Sequence, residues 1–554
     1  MAKNEKCTWW KEATAYQIYP RSFRDSNGDG VGDLPGITGK LDYLRELGID
    51  LIWLSPVYQS PNADNGYDIS AYREIAPEYG SMEDMHNLLT AAHSRGIRVV
   101  MDLVINHTSD EHAWFRSSRS NPTGPYGDYY YWADGRAGAP PNNWLSAFGG
   151  SAWTYDRERG QYYLHIYTAK QPDLKWSNPH VRHDIYDMMR YWLDRGVDGF
   201  RMDVINQISK PDGLPDDEDP LPGTRPGFRL YTNGPHVHTY LKEMNREVLS
   251  HYGIVTVGEM HETGLEEALR YVAPERNELD MIFHFQHMLL DAGPGGKWDP
   301  RPIDIDALKE VFERWQTGLH DRGWNSLFLN NHDYPRMVSR FGDDKKFHTE
   351  SAKALAGLTY LMQGTPFLFQ GEEIGMTNPR FEDIHSYRDV ETLNFYREQR
   401  ALGKRDEDIL PLIRRLSRDN ARTPFQWNGK PGAGFTQGEP WIPINPNHET
   451  VNLASQWGNP ESIVEFYRAL LRVRRESQAA LYGDFALIRE AASPLFCYRR
   501  TADNRHLTIT TNLSAEERPA PAVSRAGRLL LANYSDADPE RSVLRPWELL
   551  VLQS

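Results

Sequence analysis

The stretch Gly199-Phe200-Arg201-Met202-Asp203 decides the fold: a short apolar run, read as a strand, that ends on a carboxylate. A charge at the end of a buried strand is costly unless it has a partner or a task. Two more runs end the same way, Val255-Thr256-Val257-Gly258-Glu259 and Phe328-Leu329-Asn330-Asn331-His332-Asp333. Asp102-Leu103-Val104-Ile105-Asn106-His107 and Ile52-Trp53-Leu54-Ser55-Pro56 fit the pattern. Carboxylates gathered at the C-terminal ends of several parallel strands are how a β/α barrel builds an acid/base site.

Working outward, strands are predicted at 15–19, 51–54, 99–105, 199–204, 254–258, 281–285, 326–329 and 366–369. Eight is the number that closes a (β/α)8 TIM barrel. Helical periodicity runs over 37–47, 82–94, 180–195, 236–250 and 307–319. After the third strand, residues 107–175 hold no long helical pattern but are rich in Trp, Tyr, Gly, Pro and Asn, with a strand-like run at 161–167. So long a connection reads as an inserted subdomain. Residues 211–226, dense in Pro, Gly and Asp, read as a loop. From 481 the pattern changes to short β runs at 485–488, 495–499, 507–510, 528–532 and 549–552, a small antiparallel β-sandwich. The expected organisation is barrel over 1–106, insert over 107–175, barrel again over 176–480 and C-terminal domain over 481–554.

At 554 residues the chain is long enough for two or three domains. A formal net charge of −15 argues against nucleic acid or an anionic membrane as partner. No run approaches 18 apolar residues, and the N-terminus shows no apolar signal segment, so a cytoplasmic protein is expected. Cys7 and Cys497 read as two free thiols or one bridge. The 16 Trp and 29 Tyr exceed core needs and fit sugar-ring stacking, although large barrel enzymes are often aromatic-rich anyway.

Several motifs, in this order, resemble the α-amylase family of glycoside hydrolases, and within it the oligo-1,6-glucosidase and dextran glucosidase branch. They are residues 16–23 (Tyr-Gln-Ile-Tyr-Pro-Arg-Ser-Phe), 102–107, Gln171-Pro172-Asp173-Leu174, 199–206, Val257-Gly258-Glu259 and Asn331-His332-Asp333. The resemblance implies Asp203 as nucleophile, Glu259 as general acid/base and Asp333 as transition-state stabiliser. The residue types suit a retaining glycosidase, in which one carboxylate attacks the anomeric carbon and another protonates the leaving oxygen. Arg201, two residues earlier on the same strand face, can keep Asp203 ionised. By resemblance His107 and His332 hydrogen-bond the sugar, Tyr67 stacks on it, and Asp64 pairs with Arg422 to grip its 4-hydroxyl. Such a grip makes the enzyme exo-acting on a small oligosaccharide; a monomer or weak homo-oligomer is expected. Phe148, Tyr167 and Gln171 are expected in the pocket wall, and Lys297 and Glu391 around the next sugar. Asp102 is expected to orient its neighbours. Val204, after the nucleophile, matches relatives that prefer α-1,6 bonds; its stiff β-branched side chain narrows the site for the leaving sugar.

The segment Asp25-Ser26-Asn27-Gly28-Asp29-Gly30-Val31-Gly32-Asp33 places oxygen ligands at alternate residues with Gly at the turn, a pattern that suits a hard cation. It resembles the start of an EF-hand loop, but Gly36 stands where the closing Glu would be. The resemblance implies structural Ca²⁺ held by Asp25, Asn27, Asp29, Asp33 and the Val31 carbonyl. Three rival readings remain. A sucrose isomerase would carry an Arg-rich loop where this chain has Gly293 to Asp299. A trehalose-6-phosphate hydrolase would need a cationic phosphate pocket. A non-catalytic transporter subunit would need an anchor.

Overall fold

The computed structural model describes residues 8–221, 223–525 and 527–554. The eight expected strands form one parallel sheet: β1 (Ala15–Ile18), β2 (Leu51–Leu54), β3 (Arg98–Leu103), β4 (Gly199–Met202), β5 (Val255–Met260), β6 (Met281–His284), β7 (Ser326–Leu327) and β8 (Thr365–Phe369). Their order is β6-β5-β4-β3-β2-β1-β8-β7. A parallel bridge between Ile282 and Asn325 joins β6 to β7 and closes the barrel.

Strand alternation sorts the side chains. Leu51, Trp53, Val100, Val255, Val257, Met281, Phe283 and Phe367 fill the barrel interior. Ile52, Leu54, Val99, Met101, Phe200 and Met202 face outward into the helical layer. Both faces are buried, as a parallel sheet requires. Gly199 opens β4 with φ 145°, where a Cβ would lie 2.0 Å from the Val255 carbonyl oxygen. Only glycine lets these two strands approach so closely.

The surrounding helices start on their own signals. Ser81 and Asp84 form a capping box on the helix Met82–Ser94. Asn178 caps Pro179–Leu193, which buries Val181, Ile185, Met189 and Trp192. The pattern over 37–47 resolves into two short helices, Leu34–Thr38 and Leu41–Leu47.

The insert after β3 holds a three-stranded antiparallel sheet with Gln161–Leu164 between Trp132–Ala133 and Trp153–Asp156. It also contains one helix that periodicity did not reveal, Ala113–Ser120, too short to show a repeat. Asp173 ties the insert to the barrel. Its Oδ1 accepts from Asn106 Nδ2 at 2.6 Å and from the buried ammonium of Lys210 at 3.0 Å. At the C-terminus a five-stranded antiparallel sheet spans Asp484 to Gln553, and a ribbon of Arg518–Pro519 with Val543–Leu544 lies beside it. Leu495, Cys497 and Leu550 pack toward the ribbon residue Leu544, whereas Phe496, Tyr498 and Val551 join the barrel core. Burial pushes the Cys497 thiol up to about 11; Cys7 lies outside the described residues.

Candidate active site

The C-terminal ends of the barrel strands converge on a cavity of about 230 Å³. Asp203, Glu259 and Asp333 all line it, with Asp64, Tyr67, His107, Phe148, Tyr167, Gln171, Val204, Lys297 and Glu391. Arg201, His332 and Arg422 stand behind this wall, each about 1% exposed.

One guanidinium organises the centre. Arg201 Nη1 donates to Asp102 Oδ1 at 2.7 Å and to Asp203 Oδ1 at 2.9 Å. Its Nη2 lies 2.6 Å from Glu259 Oε2. β4 and β5 are in parallel register with Arg201 opposite Val257, which brings the ends of both strands together. Glu259 Oε2 also accepts the Val204 backbone N–H at 3.1 Å. Asp102 is braced by Trp53 Nε1 at 3.1 Å and the Tyr67 hydroxyl at 2.9 Å, which fixes its carboxylate beside Arg201.

Three carboxylates around one cation leave excess negative charge in a buried site. Burial pushes Asp102 up to about 6 against the opposing pull of Arg201. Burial also raises Asp203; Arg201 opposes this, while Glu259 and Asp102 add to it. With both carboxyls raised, Asp102 and Asp203 readily keep a proton.

Asp333 has the opposite environment. Burial raises its carboxyl, but His332, Arg418 and Arg422 outweigh that and hold it well below the usual carboxylate range. His332 Nδ1 meets Gln17 Nε2 at 2.8 Å, so the ring proton sits on Nε2, 3.2 Å from Asp333 Oδ2. The His332 ring lies flat on Tyr67, with centroids 5.2 Å apart and planes at 4°. Burial lowers His332 to about 3 and His107 to about 4, so both rings are neutral.

The blind end of the cavity corrects the expected pairing of Asp64 with Arg422. Asp64 Oδ1 accepts from Arg418 Nη2 at 3.0 Å. Arg422 reaches instead to Asp333 Oδ1 at 2.9 Å and to the His332 carbonyl at 2.9 Å. Arg418 also bonds Asp389 Oδ1 through Nε at 2.8 Å and Asp333 Oδ1 through Nη1 at 3.2 Å. The two arginines are four residues apart, one helical turn, so either could have served; backbone register decides. Phe148 lies under the Arg418 guanidinium at 4.7 Å. At the open end Lys297 pairs with Glu391 at 2.5 Å. Sequence reading missed Arg418, Asp389, His261 and the Asp291–Arg340 pair. His261 had a signal, its position two residues beyond Glu259, just past the end of the strand.

The loop 25–33 is closed by its own hydrogen bonds. Asp25 Oδ1 accepts the N–H groups of Asn27 and Gly28, and Oδ2 accepts the Gly30 N–H and the Thr436 hydroxyl. Asp33 Oδ2 accepts the Ser26 N–H and hydroxyl, and Oδ1 caps the following helix through the Gly36 N–H. Asn27 and Asp29 bond each other's side chains and backbone. All four acceptor positions of Asp25 are thus in use. Among the described residues no three His, Cys, Asp or Glu side chains are grouped to hold a metal ion. The calcium reading therefore rests on the residue pattern alone.

Comparison with known proteins agrees with this architecture. Residues 17–483 match the alpha-amylase catalytic domain, and 486–551 match a domain of unknown function, DUF3459. The chain is 53% identical to an oligo-1,6-glucosidase of Parageobacillus thermoglucosidasius, over 98% of each sequence. It is 52% identical to the oligo-1,6-glucosidase of Bacillus cereus, covering 98% of this chain and 99% of that one. Among solved structures it is similar to a trehalose-6-phosphate hydrolase from Bacillus licheniformis, with TM-score 0.94, 47% identity, and 98% and 99% of the two chains covered. Matched over most of its length by this catalytic domain, and sharing half its sequence end to end with such relatives, the chain belongs to the alpha-amylase family of glycoside hydrolases.

Proposed function

We propose that this protein is an exo-acting, retaining α-glucosidase that hydrolyses α-1,6 bonds of isomalto-oligosaccharides from the non-reducing end. The observation that carries the reading is Arg201. It holds the nucleophile candidate and the acid candidate at once, in a cavity whose far end Asp64 and Arg418 close. Arg201 occupies Oδ1 of Asp203, so Oδ2 is the attacking atom. Both donors on Glu259 bind Oε2, so the proton to be transferred sits on Oε1.

In the first step Asp203 Oδ2 forms a bond to the anomeric carbon, that carbon's bond to the leaving oxygen breaks, and the Glu259 proton moves to that oxygen. In the second step Glu259 takes a proton from water as the water oxygen displaces Asp203. Net retention follows from two inversions. Asp333, held ionised by two guanidiniums, faces the sugar hydroxyls whose hydrogen bonds strengthen as the ring flattens. The Asp64–Arg418 pair blocks any sugar beyond the terminal one, which supports exo action.

A phosphorylated substrate is disfavoured because each cation lining the cavity already has a carboxylate: Lys297 with Glu391, Arg340 with Asp291, Arg418 with Asp64 and Asp389. The relatives named oligo-1,6-glucosidase support the linkage. No helix among the described residues is long and apolar enough to cross a membrane. A cytoplasmic setting, a monomer or weak homo-oligomer, and structural Ca²⁺ in the 25–33 loop complete the proposal. The deciding experiment is product analysis on isomaltose, maltose, sucrose, trehalose and trehalose-6-phosphate side by side. Release of α-glucose chiefly from isomaltose supports the reading; preference for the phosphorylated sugar, or isomerised sucrose, overturns it.

A further inference from the structure

His261 follows the end of β5, two residues beyond Glu259, and its imidazole faces the same cavity. Its Nε2 lies 3.8 Å from Glu259 Oε1, the oxygen left by the Arg201 and Val204 contacts to carry the acid proton. The ring is held from the side. It stacks on Phe285 with centroids 5.0 Å apart and planes at 12°, and Phe285 stacks on Tyr334. The His261 carbonyl accepts from Asn206 Nδ2 at 2.8 Å and from the Thr263 hydroxyl at 3.0 Å. The side chain is 33% exposed, enough to meet a bound sugar.

We infer that His261 is a positioning residue for proton transfer, steadying Glu259 Oε1 in the charged state that this carboxylate passes through. The inference rests on the α-glucosidase reading. When Glu259 gives up its proton, negative charge appears on Oε1. An imidazole with its proton on Nε2 is then placed to donate to it. A gap of 3.8 Å is too long for a hydrogen bond in the resting site, and contacts of this kind tighten in the reacting complex. The His261 proton stays on its ring throughout; the transferred proton travels only between Glu259, the leaving oxygen and water. The other charged groups facing this site are Arg201 and Asp203 from β4, Asp333 from beyond β7, and Asp291, Lys297 and Arg340 on the cavity wall. Arg201 serves Oε2, so the two oxygens of one carboxylate are managed from opposite sides.

The test uses His261→Phe, which keeps a stacked ring without nitrogen, and His261→Gln, which keeps a donor. Each is assayed on isomaltose, a poor leaving group, and on p-nitrophenyl α-glucoside, whose phenolate leaves with little acid help. His261→Phe should lose about tenfold in kcat/KM on isomaltose and under about threefold on the aryl glucoside. The basic limb of its kcat profile should move to higher pH, because Glu259 in the substrate complex loses a group that favours its ionised form. His261→Gln should restore both toward wild type. Equal losses on both substrates with an unmoved limb, or no loss at all, would overturn the inference. Wild-type protein inactive on both substrates would overturn the glucosidase reading instead, which keeps the two failures apart.

Discussion

Val204 turns its backbone N–H onto Oε2 of Glu259, at 3.1 Å, from a left-handed conformation with φ 36° and ψ 42°. A buried β-branched residue seldom adopts that geometry. Holding it costs on the order of 1–3 kcal/mol, which the surrounding packing must over-determine. The turn after the nucleophile therefore also fixes the acid, and the two carboxylates cannot drift independently.

Asp203→Ala should abolish turnover, by several orders of magnitude, since no glucosyl-enzyme can form. The fold should survive, because a crowded carboxylate beside Asp102 and Glu259 is removed. Single-turnover rates and a thermal melt check both parts; a variant keeping a tenth of wild-type activity would remove Asp203 from its role.

Arg418→Ala should weaken isomaltose binding at least tenfold and lower the melting temperature. It leaves buried Asp64 and Asp389 without their main cation, a loss that typically costs about 3–5 kcal/mol for a broken buried pair. Arg422→Ala should act more on kcat, through Asp333 and His332. Steady-state kinetics on both variants decide this, and an interchange of the two patterns would reinstate Arg422 as the gripping residue.

The linkage preference should rest on Val204, whose side chain lines the cavity beside Asp203. Isomaltose should exceed maltose by at least about tenfold in kcat/KM, or roughly 1.4 kcal/mol. An α-1,6-linked sugar has an extra methylene and can swing clear of the branched side chain. Val204→Ala and Val204→Thr should raise maltose relative to isomaltose. An unchanged ratio in both variants would count against the steric argument.

Below about pH 6.5 the buried His107 and His332 should each cost stability. They are set against the raised carboxyls of Asp102 and Asp203, which bind protons in the native state over the same range and act with the opposite sign. Burial lowers His107 to about 4 and His332 to about 3, so at these two rings the unfolded chain binds more protons than the native one between those values and 6.5. The contribution of each histidine rises with pH across that window, by up to about 1.4 kcal/mol per pH unit. Denaturant midpoints from pH 7 to 4 should show this as a difference in slope, with His107→Gln losing less stability toward acid than the wild type. An unchanged slope would place the acid sensitivity elsewhere.

Calcium should raise the melting temperature and leave kcat unchanged. A cation bound only by the native loop stabilises by mass action. Melts after prolonged chelator treatment, against melts in excess Ca²⁺, provide the comparison. Identical curves would leave the 25–33 loop as a set of Asx turns closed by Asp25, Asp33 and Thr436.

The eight strands were legible because each is a short apolar run between amphipathic helices. The three carboxylates were legible because each ends such a run or closely follows one. The Ala113–Ser120 helix left no periodic trace in its eight residues. The choice between Arg418 and Arg422 could not be read, because they bracket one short helical turn and the pairing depends on how that turn meets β7 and the Asp64 turn. The ion pair of Lys297 and Glu391 spans 94 residues, and nothing local to either residue announces the other.

The closure of the barrel between β6 and β7 has a dynamic consequence. Among the described residues the hydrogen bonds at this seam include the Ile282–Asn325 bridge, Ser326 Oγ donating to the Ile282 carbonyl at 2.6 Å and His287 Nε2 against the Phe328 carbonyl at 2.8 Å, beside a β7 only two residues long. Amides along this edge should exchange with solvent earlier than those of β3 to β5, as a weak border between cooperative units does. The hairpin after β6 carries Lys297 and Asp291, and the chain after β7 carries Asp333. Above the strand edge Arg340 grips Asp291 and the Met288 carbonyl, so the wall that meets the departing sugar stays tied to the segment that carries Asp333. Loosening at the seam is thereby kept below the site, away from the strands that hold Arg201.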